Sequence, residues 1–112
     1  MSKIIEALNT MIANRDKISD ATEDRIFGGY EFRYLGKRWS VHKQSGGIVI
    51  VKFHPEGEEN RTVDYGEDEW TSREARETFR DLYRTVQERS YQVDKVLDEI
   101  IEGNPLLSTA GR

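Results

Sequence analysis

The feature that most limits how this chain can fold is an apolar stripe toward its C-terminus. Between Thr71 and Glu102, the residues Ala75, Phe79, Leu82, Val86, Val93, Val96 and Ile100 recur at four- and three-residue intervals, widened by Tyr83, Leu97 and Ile101. Gly103, Asn104 and Pro105 close the run, so the spacing predicts one long helix over about 67–102. Thr71 with Glu74 fits a capping box, and Gly66 with Glu67 and Asp68 would start the helix a turn earlier. The 32 residues from Thr71 to Glu102 span roughly 48 Å as a helix, whereas a globule of 112 residues is about 34 Å across. Either the helix breaks near Arg89-Ser90, where the stripe narrows, or its last turns leave the body. In the second case Val93, Val96, Leu97, Ile100 and Ile101 need a covering surface, and a second copy of the chain is the first expectation.

One domain is all that the length allows, and with 36% hydrophobic and 34% charged residues it can bury one modest core. The longest aliphatic run, Ile48-Val49-Ile50-Val51, falls far short of the roughly 18 residues of a membrane span. The N-terminus has no basic stretch followed by an apolar core of the secretory type. The chain has no cysteine, which excludes disulfides, thiol catalysis and Cys-ligated metal centres and fits a reducing cytosol. A cytoplasmic protein with no membrane partner is the expectation.

Ile4, Ile5, Leu8, Met11 and Ile12 predict an amphipathic helix within residues 1–15, with Ser2 as N-cap. Residues 16–25 are polar and read as a linker. From Phe27 to about His54 the period drops to two, as in strands. A two-residue turn at Gly36-Lys37 would pair Tyr34 with Trp39 and Phe32 with Val41. A three-residue loop at Ser45-Gly46-Gly47 then puts Val49, Val51 and Phe53 on the face of Tyr30, Phe32, Tyr34, Trp39 and Val41. Glu31, Arg33, Arg38, Ser40, His42, Ile50, Lys52 and His54 fall on the opposite face. A short further strand is expected around Arg61–Tyr65, and the residues after 102 read as a tail. The fold class is therefore α+β: an N-terminal helix, an antiparallel meander of three or four strands, and a long C-terminal helix.

The net charge of −4 conceals blocks. Residues 25–54 hold Arg25, Arg33, Lys37, Arg38, Lys43 and Lys52 against Glu31 alone; residues 55–70 hold seven carboxylates against Arg61. Such a dipolar surface can steer a charged partner despite the net sign. Arg33, Lys37, Arg38, His42, Lys43 and Lys52 are the candidate phosphate-binding residues. The aromatic residues of the strands fall on the face that the long helix must cover and read as core rather than as base-stacking platforms. Arg73, Arg76, Arg80 and Arg84 alternate with carboxylates and read as solvated helix pairs.

Little in the chain suggests catalysis or metal. Ser40 and His42, with Glu31 across from His42, mimic a nucleophile–base–acid set. Side chains two apart on a strand are separated by about 6.5–7 Å, too far to bond. Two histidines without cysteines or a His-x-x-x-His spacing make no metal site, and Glu67-Asp68-Glu69 lacks a calcium-loop spacing. Gly28-Gly29 and Gly46-Gly47 lie at strand edges and open no helix, so they are turns rather than phosphate loops. No cofactor and no enzymatic activity are expected.

Over about residues 32–86 the chain resembles the single-strand-binding transcriptional coactivators of the positive cofactor four type, whose strand–strand–strand–strand–helix unit the Pur-alpha and Whirly proteins share. The likeness rests on Gly36-Lys37-Arg38, the turn at Gly46 leading into Ile48-Val49-Ile50-Val51, Pro55-Glu56-Gly57-Glu58, and Glu67-Asp68-Glu69-Trp70. It implies a homodimer that binds single-stranded DNA or RNA on the exposed sheet face, with Lys37, Arg38, His42, Lys43 and Lys52 in that role. The chain departs from the family where polar Gln44 and Ser45 replace an aromatic residue and Gly47 replaces a lysine. The alternative is a small adaptor or inhibitor that offers the acidic 56–69 segment, in imitation of DNA, together with the distal helix.

Overall fold

Alternation of apolar and polar residues through most of the stretch from Tyr30 to His54 produces the centre of an antiparallel sheet, and a long helix covers its apolar face with a shorter helix packed along it. The computed structural model describes residues 2–26, 28–57 and 61–103, with the side chains of 93 and 94 excepted. Phe27, Glu58, Glu59 and the tail beyond 103 lie outside the described residues, as does the side chain of Val93. The order is α1 (Lys3–Ala13), β1 (Ser19–Glu23), β2 (Tyr30–Tyr34), β3 (Lys37–Lys43), β4 (Val49–His54), β5 (Val63–Gly66) and α2 (Arg73–Glu102). The strands follow one another in space as β1-β2-β3-β4-β5, all antiparallel.

The sheet has five strands, not three or four, because the segment expected as a linker contains β1. Of its five residues only Ala21 is buried. Asp20 takes a positive φ of 53°, and the pairing with β2 shifts register between Ser19 and Thr22. A bulged edge strand that shows its polar side chains to water carries almost no two-residue hydrophobic period. Its anchor is Ile18, buried immediately before it.

The β2–β3 turn is Leu35-Gly36, with φ values of 53° and 72°, and it pairs Tyr34 with Lys37, Phe32 with Trp39 and Tyr30 with Val41. The Gly36-Lys37 turn expected from the sequence is thus displaced by one residue. Two successive positive φ angles match the right-handed twist of the flanking strands, and this gain outweighs the preference of Leu35 for negative φ. The displacement moves each pairing by two positions, so every side chain keeps its face. Between β3 and β4 the register pairs Lys43 with Val49 and Trp39 with Phe53. The Gln44 amide donates to the Ile48 carbonyl at 2.8 Å, as the three-residue loop requires.

Phe32, Val41, Val49 and Val51 on the sheet meet Phe79, Leu82 and Val86 of α2, all without solvent exposure. Lying along α2, α1 adds Ile5, Leu8 and Met11 to this core. The Thr78 hydroxyl of α2 donates to Asn9 Oδ1 of α1 at 3.2 Å. The cap of α2 is Ser72, whose hydroxyl accepts from the Ala75 amide at 3.2 Å, rather than Thr71. Glu67–Glu69 forms a separate short turn before Trp70, so the helix does not begin at 67.

No break occurs at Arg89-Ser90. α2 runs for 30 residues, and among the described residues the last side chain it buries is Ser90. The described residues extend 57 × 32 × 28 Å with a radius of gyration of 16.7 Å, against about 13 Å for a compact chain of this length. From Lys95 to Glu102, about two turns, every residue of the helix is exposed. No helix of the described residues is long and apolar enough to cross a membrane.

Candidate interaction surfaces

The outer face of the sheet carries Glu31 and Arg33 from β2, Arg38, Ser40 and His42 from β3, Ile50, Lys52 and His54 from β4, and Asp64 from β5. Four of the six candidate phosphate-binding residues, Arg33, Arg38, His42 and Lys52, therefore share this face. Their charges are not free of carboxylates. Arg38 donates from Nε and Nη2 to the two oxygens of Glu31 at 2.7 and 3.0 Å. Arg33 Nε lies 4.0 Å from Asp20, and its Nη1 donates to the Gly36 carbonyl at 3.3 Å. Lys52 pairs in register with Asp64 on the neighbouring strand.

The other two candidates lie elsewhere. Lys43 has the strand parity of Val41 and Trp39, and its Nζ stands 4.6 Å from the ring centre of Tyr83 on α2. It belongs to the helix side of the sheet. Lys37 has the same parity, is exposed, and borders a groove at the β2–β3 turn with Arg33, Arg38, His54 and Glu56. The sequence placed both lysines at strand ends but could not show on which side they emerge.

A groove of about 340 Å³ on the outer face brings Ser40, His42, Lys52 and His54 together beside Asp24 and Thr62. Within it the bonded pair is Ser40 with His54, Oγ to Nε2 at 2.9 Å, and not Ser40 with His42. The register explains this: Ser40 faces Lys52, so His54 is its diagonal neighbour on β4. Burial, then Lys52, lowers the pKa of His42 below the usual histidine range; burial, then Arg38, does the same to His54. Burial of His42 comes partly from Gly29, which lies so close to β3 that a side chain there would overlap the Val41 carbonyl and His42. Glu31 is engaged by Arg38, and among the described residues nothing bonds the second ring nitrogen of His54. A serine–histidine pair without an orienting group lacks the third member of a nucleophilic triad. No described cluster of three His, Cys, Asp or Glu residues could hold a metal.

Of the described carboxylates in the acidic segment only Glu67 is turned inward; Glu56, Asp64, Asp68 and Glu69 are exposed. Glu67 is fully buried and accepts from Arg80 Nε and Nη2 of α2 at 2.9 and 3.2 Å, and Glu69 accepts from the Gly66 amide. Asp64 accepts from the Thr62 hydroxyl at 2.8 Å. Sequence reasoning grouped Glu67 with its neighbours and missed its role, since no periodicity marks a buried carboxylate.

The distal part of α2 is the opposite case. Val96, Leu97, Ile100 and Ile101 are 52, 51, 64 and 63% exposed, although each is aliphatic and all belong to the stripe that fills the core one helix length earlier. Lys95, Asp98, Glu99 and Glu102 accompany them.

No protein-family model matches the chain, nor does a curated protein or a solved structure.

Proposed function

We propose that this is a cytoplasmic, non-catalytic protein-binding adaptor that acts as a homodimer through the distal part of α2. The observation that carries this reading is the row of four aliphatic side chains at the end of α2, each more than half exposed among the described residues. Burying each would contribute about 1.5–3 kcal/mol. An antiparallel pair of helices crossing near Leu97 sets Lys95 of each copy beside Glu99 of the other. A parallel pair sets the acidic ends side by side. Charge thus favours the antiparallel arrangement. Sedimentation at high micromolar concentration should give twice the chain mass, and Val96→Asp with Ile100→Asp should give monomers that still fold. A wild-type monomer at that concentration sinks the proposal.

Single-stranded nucleic acid on the outer sheet face is the second reading, supported by Lys52, which has no ion pair within 4 Å among the described residues and lies between His42 and His54. With Arg38 held by Glu31 and Lys43 behind the sheet, two or three phosphates remain for Arg33, Lys37 and Lys52. The logarithm of the binding constant should then fall with that of salt with a slope of about −1.4 to −2. If a labelled oligonucleotide does not bind at low salt, this reading fails.

A further inference from the structure

We infer that the groove between the β3–β4 turn and α2 is a binding site for a small phosphate-bearing anion, of the size of a diphosphate. This groove, about 330 Å³, is bordered by Lys43, Arg80, Arg84, Gly46 and Gly47, and among the described residues by no carboxylate. By contrast, the grooves at the β2–β3 turn and on the outer face each include one, Glu56 and Asp24. Three cations meet in this concavity, while Glu67 and Asp81, the carboxylates paired with two of them, do not line it.

The fold holds the cations in place from behind. Fully buried Glu67 grips Arg80 with two bonds, which fixes the guanidinium plane and leaves three of its five N–H groups for another acceptor. Asp81, one residue along α2, lies 3.2 Å from Arg84 Nη2. The π-face of Tyr83 lies beneath the Lys43 ammonium and draws it toward the helix. Carboxylates and ring thus orient the three heads without entering the groove. Gly46 and Gly47, at φ 85° and 80°, have nothing within 4 Å of where a Cβ would sit, so the turn offers its backbone to a ligand without side chains in the way. One planar fork suffices for a single phosphate; three separate cations on two elements suit two linked phosphates. The volume falls within the range of small-ligand sites. This inference is independent of self-association, because none of these residues belongs to the distal helix.

Inorganic pyrophosphate is the probe. Titrated into the full chain at low salt, it should bind saturably and move the amide resonances of Lys43, Gly46, Gly47 and Arg84. Lys43→Ala and Arg84→Ala should each weaken binding about tenfold, while Lys17→Ala, which removes the same charge elsewhere, should leave it unchanged. Arg80→Ala is avoided, since it would strand the buried Glu67. If either variant does not fold, the other and the resonance map decide. Absence of saturable binding at millimolar pyrophosphate, or equal weakening by Lys17→Ala and Lys43→Ala, overturns the site.

Discussion

On the inner face of the sheet Phe32, Val41 and Val51 stand beneath α2 without solvent contact. Their sequence neighbours Arg33, His42 and Lys52 stand on the outer face among carboxylates from three strands. The same alternation generates both faces, but only one of them can be read from the strands that build it. An apolar face needs no more than a cover, and the helical stripe in the same chain supplies that. The charge of the outer face depends on who arrives from elsewhere: Asp20 from β1, Asp64 from β5, Glu31 across the hairpin. A count along residues 25–54 measures a segment, whereas a partner meets a face.

The largest expected difference between the faces is in stability. Phe32→Ala should lower the unfolding free energy by about 3–5 kcal/mol, because it leaves a cavity under α2. Arg38→Ala, on the opposite side of the neighbouring strand, should cost less than about 1 kcal/mol, since the Arg38 side chain is 47% exposed and its pair with Glu31 is screened by water. Urea unfolding of both variants at matched concentration checks this. Equal costs would mean that the outer ion pair is structural, and the contrast between the faces would collapse.

The inner face was legible because burial follows period. Tyr30, Phe32, Tyr34, Val41, Val49 and Val51 reach the core as the alternation requires, and the misplaced β2–β3 turn did no harm, since a shift of two positions conserves faces. β1 was not legible because an edge strand with one buried residue has no period to detect. In α2, Leu82 and Ile100 occupy the same stripe, yet one is fully buried and the other 64% exposed; only the length of the helix against the width of the body told them apart. The outer-face residues were placed on the right side by parity, but their partners came from pairings across three strands that spacing alone does not encode. Lys43 and the Glu67–Arg80 pair are the extreme cases, each completed by α2.

A second comparison sets an inner-face acid against the rest of the molecule at alkaline pH. Tyr30 is 4% exposed, accepts a hydrogen bond from Gln87 Nε2 at 3.1 Å, and has its pKa pushed up to about 12, by burial first and then by Tyr91. An acid whose folded pKa is raised stabilises the fold fully below its unfolded value near 10 and loses that contribution as pH rises through the folded one. Between pH 9 and pH 12 the wild type should therefore lose about 2 kcal/mol more than Tyr30→Phe. Parallel loss in the two proteins would show that the Tyr30 hydroxyl is as hydrated as a surface phenol.

The smallest effect belongs to the outer face and to the acid side. His42 and His54 both have pKa values below the ordinary 6.5, burial being the first cause in each. A base with a depressed folded pKa contributes stability that is present above its unfolded pKa and lost as pH falls through the folded one, so stability should decline below about pH 6.5. The second causes differ: Lys52 for His42, Arg38 for His54. Lys52→Ala should therefore raise the midpoint of His42 more than that of His54, whereas Arg38→Ala should raise His54 and leave His42 nearly where it was. Proton resonances of the two imidazole rings, followed from pH 4 to 8, separate these outcomes. Midpoints at or above 6.5 in the wild type would mean that Gly29 and the neighbouring strands leave the rings open to water.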